Sequence, residues 1–230
     1  MKTRGVLGLC LGLGLALSLP TSRAIADDDA PIKCEVTEKD EGKSWFVTVG
    51  RIPKSVEEFK ALRDELCKTP QGGMVAFIIA MHMHGENEEL GLQVLPLILD
   101  KSLLGETINM QQKYQKPGYK GWQIGGAFDQ MRKSSGFQKA VKYAALSYVV
   151  GTKKDDGYKL PAPPYKYYCR IHRVPPKEGE WKGFLNTSGS AGGAVPYIMK
   201  KDSNGNWKML QASSFFAGTQ EPPKKSKDDL

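Results

Sequence analysis

Thr69-Pro70-Gln71-Gly72-Gly73-Met74-Val75-Ala76-Phe77-Ile78-Ile79-Ala80-Met81-His82-Met83-His84-Gly85 is the stretch that decides the fold. Thr69 is a good N-cap, because its hydroxyl can accept from an early helical amide. Pro70 at the first helical position forfeits no intrahelical bond. Met74 to Met83 then runs apolar nearly all round, which a helix tolerates only when other elements cover every side of it. Gly85 is a natural stop. Such a helix must be the centre of something, so the flanking sequence has to supply its cover.

Upstream, Ser55-Val56-Glu57-Glu58 is a capping box, with Ser55 accepting from the third helical amide and Glu58 reaching back. Val56, Phe59, Leu62 and Leu66 follow at helical spacing, while Glu57, Lys60, Arg63 and Asp64 face water. Downstream, Asn87-Glu88-Glu89 starts a third helix with acids set against the positive end of its dipole. Leu90, Val94, Leu95, Ile98 and Leu99 give it a core face, and Pro96 kinks it. Gly105 to Gly126 reads as a weak helix (107–114) and then a loop. Phe128 to Lys133 and Phe137 to Tyr143 look helical, and Ala144 to Val150 fits either type of element.

From Tyr165 the period changes to two. Tyr165, Tyr167, Cys169 and Ile171 fall on one face of a strand, and Lys166, Tyr168, Arg170 and His172 on the other. Glu180 to Asn186, Ala194 to Lys201 and Asn206 to Ala212 are further short strands. The turns between them are explicit, above all Asp202-Ser203-Asn204-Gly205. Trp207 and Met209 join the apolar face, whereas Lys182, Lys200 or Lys208 share the polar one, depending on register. Before the helices, Ile32 to Thr37 can pair with the alternating Trp45 to Val49. The fold class is therefore α+β: an N-terminal helical cluster packed on a C-terminal antiparallel sheet of four strands or more.

The termini carry an address. Lys2 and Arg4 precede the apolar run Val6 to Leu19, and Ala24-Ile25-Ala26 supplies small residues at a cleavage site. That run is too short to span a bilayer comfortably, so residues 1–26 read as a cleaved export signal and no transmembrane segment remains afterwards. Residues 27–52 form a polar lead-in with possible short strands. Residues 53–216 form one α+β domain, with helices within 53–149 and the β meander within 164–213. Residues 217–230 read as a disordered charged tail. The expected location is the periplasm or the exterior. The alternative is the endoplasmic reticulum lumen in a eukaryote, because Lys227-Asp228-Asp229-Leu230 resembles a retention tetrapeptide. Asn186-Thr187-Ser188 is likewise a glycosylation sequon with meaning only there.

Composition narrows the function. The chain carries 33 Lys and Arg against 25 Asp and Glu, and loss of Lys2, Arg4 and Arg23 with the signal leaves a balance of +5. The basic residues are spread among acids rather than gathered in a stripe, which argues against nucleic acid as a partner. Cys34, Cys67 and Cys169 are an odd set for an oxidising compartment; one disulfide plus a thiol, or three buried thiols, both satisfy the count.

Several motifs look familiar together: Thr69-Pro70-x-Gly72, Asn87-x-x-x-Gly91, Tyr148-x-x-Gly151, Asp156-Gly157-Tyr158-x-x-Pro161-x-x-Pro164-Tyr165, Ser188-Gly189 and Asn204-Gly205-x-Trp207. Over residues 53–222 the chain resembles an uncharacterised bacterial family, a domain of unknown function with three helices and then a β meander. The resemblance implies a fold and no activity. It departs from the family in the loop Ser188 to Pro196, which lacks the Asp and Arg-Pro found there in relatives.

Candidate chemistry is sparse. Met81-His82-Met83-His84 offers metal-binding residue types, but on a helix His82 and His84 lie about 200° apart and cannot hold one ion. Cys169 and His172 are three apart on a strand, so their side chains point to opposite faces. No Gly-x-Ser-x-Gly elbow occurs. The sequence therefore reads as a non-catalytic ligand- or partner-binding domain without metal or cofactor, with Lys166, Tyr168, Arg170 and His172 as the binding surface for an anionic ligand. A hydrolase or metal-dependent enzyme using His82, His84 or His172 is the alternative.

Overall fold

Three polar side chains start the helical layer. Ser55 sits in extended backbone and its hydroxyl accepts from the Glu58 N–H at 3.1 Å, opening α1 (Val56–Leu66). Glu58 does reach back, but past Ser55: its carboxylate takes the Lys54 N–H at 2.6 Å and the Arg51 guanidinium through two bonds of 2.9 Å. Thr69 accepts from the Gly72 N–H at 3.1 Å and opens α2 (Pro70–Glu86). Asn87 then closes α2 through its backbone and caps α3 (Glu88–Val94) with its side chain, which accepts from the Leu90 N–H at 3.1 Å.

The computed structural model describes residues 31–101, 137–174, 176–189, 193–211, 215 and 219–223. The expected export signal, the weak helix at 107–114 and the helix at 128–133 lie outside the described residues. Within them, α2 is the centre of the molecule, and Gln71 through Met81 are all buried. It packs against α1, α3 and α4 (Phe137–Ser147), and against three strands of the sheet. Its glycines make that closeness possible. A Cβ at Gly72 would stand 2.1 Å from the Leu66 carbonyl oxygen, and one at Gly85 would stand 2.9 Å from the Lys142 Cα. Gly85 is thus a contact point between α2 and α4 rather than a stop, and the helix runs on to Glu86. Pro96 ends α3 instead of kinking it: a short 3-10 turn, Leu95–Leu97, follows directly. Ala144 to Ser147 is helical.

Among the described residues the sheet has six strands in sequential order, all neighbours antiparallel: β1 (Cys34–Lys39), β2 (Ser44–Val49), β3 (Tyr165–Ile171), β4 (Glu180–Asn186), β5 (Ala194–Lys201) and β6 (Trp207–Gln211). The lead-in hairpin therefore joins the C-terminal meander in one sheet, β2 lying beside β3 with Phe46 opposite Tyr168. Val47, Val49, Tyr167, Cys169, Leu185, Tyr197, Met199 and Met209 face the helices and are buried. Each large side chain so buried contributes roughly 1.5–3 kcal/mol against the entropy of ordering it. Ile171, assigned to that face by alternation, is 46% exposed, and Trp207 is only partly buried.

The last strand does not end in an open edge. The Trp207 N–H donates to the Cys67 carbonyl at 2.9 Å, the Met209 N–H to Ile98 at 2.8 Å, and the Asp100 N–H to Met209 at 2.8 Å. This strap occupies the bonds that an unprotected edge would offer another chain. The Asp202 side chain shapes the β5–β6 turn by accepting from the Asn204 and Asn206 N–H groups, both at 2.9 Å. Composition placed 217–230 in a disordered tail, but its described part is anchored. The Gln220 carbonyl accepts from the Tyr158 hydroxyl at 2.8 Å, and its N–H donates to Gly189 at 3.1 Å.

Candidate functional site

Lys166, Tyr168 and Arg170 project from β3 on the side away from the helices, with His172 just beyond the strand's end. Register brings them neighbours that the sequence could not show. Thr48 lies opposite Lys166, Phe46 opposite Tyr168, and Ser44 and Phe184 on either side of Arg170. The Phe46 and Tyr168 rings are 5.1 Å apart, and the His172 ring stacks on Phe184 at 4.7 Å. His172 Nδ1 accepts from the Val174 N–H at 3.0 Å, which leaves Nε2 as its outward nitrogen. Lys182 and Lys200 extend the same face across β4 and β5. Lys208 does not: its ammonium turns aside to the Leu97 carbonyl at 2.7 Å, near Asp202, and burial pulls its pKa down. Among the described residues, Lys166, Arg170, Lys182 and Lys200 form no ion pair.

Beside Tyr168 the face deepens. β3 pairs with β4 only over Cys169–Ile171, and N-terminal to that the strands diverge. The turn after α4 fills part of the gap, with the Val150 N–H donating to the Lys166 carbonyl at 2.8 Å. What remains is a cleft of about 350 Å³, floored by Phe46 and Tyr168 and walled by Val149, Val150, Asn186 and Thr187. Its hydroxyls are mostly committed. Ser147 Oγ bonds the Ala144 carbonyl at 2.8 Å and Thr187 Oγ1 at 2.7 Å, and Thr152 Oγ1 bonds the Val149 carbonyl at 2.8 Å. The Ser147–Thr187 bond staples the end of α4 to the end of β4. Asn186 Oδ1 is different: it is buried and has no hydrogen-bond partner among the described residues.

The histidines and thiols lie elsewhere. His82 and His84 both belong to α2, on different sides of it. His82 is largely buried near Glu86 and Lys142, and desolvation holds its pKa below the ordinary value. His84 is 1% exposed, with Nδ1 3.3 Å from the Glu88 carbonyl. Among the described residues no three His, Cys, Asp or Glu side chains converge as a metal cage. Cys169 faces the core while His172 faces out, so the two are separated by the sheet. All three described cysteines are free thiols, and burial pushes Cys67 and Cys169 up to about 12. Among the described residues no helix is long and apolar enough to cross a membrane.

The molecule is an α+β domain in which a buried central helix covers one face of an antiparallel meander while the other face carries unpaired cations and aromatic rings. It belongs to the family described as Domain of unknown function (DUF6935), whose profile matches residues 51–223. No curated protein and no solved structure matches the chain. The match ends at the anchored segment around Gln220 and begins at Arg51, the partner of Glu58 at the head of α1.

Proposed function

We propose that this protein is an exported, non-catalytic domain that binds an anionic ligand on the outer face of its sheet, through Lys166, Tyr168, Arg170 and His172. The observation that carries the reading is the set of unpaired cations at Lys166, Arg170, Lys182 and Lys200, interleaved with the half-buried rings of Phe46, Tyr168, His172 and Phe184. Neither Lys166 nor Arg170 has an acid opposite it in the register, whereas Glu180 stands opposite Lys200, so the field offered to an anion centres on β3, where aromatic surface adds contact area at little entropic cost. A catalytic reading gains no such support, because His82 and His84 stand on different sides of α2 and His172 lies beyond the end of β3 on the outer face of the sheet.

The test is retention on a sulfonated matrix under a salt gradient. The variant Lys166→Ser, Arg170→Ser, His172→Ser is compared with Lys153→Ser, Lys159→Ser, Lys177→Ser, which removes exposed charge outside the site. The first should elute at clearly lower salt than the second, with the melting temperature close to native in both, because screening weakens exposed electrostatics. Equal retention of the two variants would remove the outer face as a binding surface. Export is checked by intact mass of the native protein, which should begin at Asp27; a retained Met1 would overturn it.

A further inference from the structure

We propose that β1 is the docking edge for a second copy of this chain. The two β1 strands pair antiparallel about Thr37, with Glu35 of each copy opposite Lys39 of the other, and join two sheets into one. This stands apart from the anionic-ligand reading.

β6, at one end of the strand order, is covered: its bonds are taken by Cys67, Ile98 and Asp100. β1 lies at the other end. The Gly50 N–H donates to the Lys33 carbonyl at 2.8 Å, which makes those two residues a hydrogen-bonded pair. Such pairs alternate along an antiparallel ladder, so Glu35, Thr37 and Lys39 bond inward to β2. Cys34, Val36 and Glu38 therefore aim their N–H and C=O groups off the sheet. Among the described residues no backbone group bonds them on that side. The pairing of β1 with β2 runs unbroken over six residues, and no proline interrupts the strand, so the edge is regular enough to take another strand.

Charges on an edge usually repel a neighbour; here they also select one. The residues on the outer face are Lys33, Glu35, Thr37 and Lys39, and Glu41 follows in the turn. Reversed about Thr37, every charge meets its opposite. The strand is thus its own complement, as a twofold interface requires. The chain turns away at Asp40, where φ is 52°, so the contact that counts is Glu35 with Lys39, made twice. Both side chains are exposed and, among the described residues, in no ion pair; Glu35 accepts from the Thr37 hydroxyl at 3.0 Å. In this register Val36 and Glu38 of opposite copies exchange backbone bonds on both sides of the axis. A slip of two residues sets Lys33 against Lys39 in one direction and Glu38 against Glu38 in the other, and opposed like charges are destabilising. A slip of one puts the bonding groups out of phase.

The end of α1 meets β1 away from the axis. Cys34 lies near Glu65 and Lys68, and it is three residues, about 10 Å, from Thr37. Opposed residues of an antiparallel pair share a face, so the outer faces of the two copies adjoin and present two sets of Lys166 and Arg170 side by side.

The experiment is sedimentation velocity of the native protein from about 5 μM to about 500 μM, the range in which weak complexes form. Glu35→Lys, Lys39→Glu and the double variant are run beside it. The native protein should pass from monomer to dimer. Each single reversal sets like charges opposite one another twice and should weaken dimerisation about tenfold. The double reversal should restore it, and the two single variants, mixed, should form a heterodimer. Mild oxidation reads the register. In Thr37→Cys the new thiols face each other in a non-hydrogen-bonded pair, about 4.5 Å apart at Cα, and should form an intermolecular disulfide. Cys34 of the native protein, far from its counterpart across the axis, should not. A monomer at every concentration overturns the proposal, and so does a dimer indifferent to both reversals. A dimer in which Thr37→Cys fails to crosslink overturns the pairing about Thr37.

Discussion

Gly91 is where a single methyl group should do the most damage per atom. A Cβ at Gly91 would lie 2.1 Å from His84 Cβ, 2.2 Å from His84 Cα and 2.6 Å from His84 Cγ. Carbon atoms rest at about 3.5–4 Å, so more than an ångström of overlap must be relieved. The atoms in the way belong to the backbone and base of a residue that is 1% exposed on the central helix, and cannot rotate aside. The relief must come from moving α3 away from α2, which loosens Leu92 and Val94, now 2% and 0% exposed. Overpacking of this kind costs about 1–3 kcal/mol, occasionally more, and partial exposure of two large apolar side chains adds a similar amount. Against this stands the helix preference of Ala over Gly, about 1 kcal/mol. The net expectation for Gly91→Ala is a loss of about 2–3 kcal/mol, which in a domain of this size is roughly 4–12 °C in melting temperature. Urea unfolding followed by circular dichroism measures it directly. A variant as stable as the native protein, or more stable as propensity alone would give, would refute the close approach of the two helices.

Three further outcomes follow from the same packing. Desolvation lowers the pKa of His82 in the folded state, so unfolding binds a proton: stability should be full above the ordinary value of 6.5 and fall as pH drops below it toward the folded value. His82→Gln should flatten that limb, while the lowered Glu86, paired with Lys142, contributes a separate loss below its ordinary value of 4.5; a stability profile flat from pH 7 to 5 would contradict the buried imidazole. Cys34, half-buried, should react with iodoacetamide well before Cys67 and Cys169, whose thiols sit at about 12; early labelling of Cys169 in a mass-spectrometric time course would be inconsistent with its place under the helices. Lys208→Met should speed hydrogen exchange at the Asp100 and Met209 amides, because it removes the bond to the Leu97 carbonyl that pins the strap to β6; unchanged exchange there would mean that the backbone bonds hold the strap unaided.

The local signals in this chain reach far. Ser55, Thr69-Pro70 and Asn87 announce three helix starts because a cap is a contact between residues two or three apart, and all three caps are made. The Asp202 to Gly205 turn is of the same kind. The all-round apolar run of α2 identifies it as the covered centre, since hydrophobic burial needs no knowledge of which element does the covering. Alternation likewise sorts Tyr167 and Cys169 inward and Lys166, Tyr168 and Arg170 outward.

Contacts between distant segments were decided by tertiary structure alone. The pairing of β2 with β3 joins residues more than a hundred positions apart, and a paired strand carries no mark of its partner. Gly85 and Gly91 look like a helix stop and a weak helix position; they are the points at which α4 and α3 touch α2. Ile171 follows the buried period yet remains exposed, because periodicity reports the face and not how far the helices extend over it. The candidate cleft is the clearest case. Phe46, Val149, Tyr168 and Asn186 come from three strands and a turn, and they meet because β3 and β4 part after three residue pairs. Sequence alone determined which side chains stand on the outer face. The volume between them, and the carbonyl oxygen of Asn186 left without a partner among the described residues there, exist only once the sheet has closed.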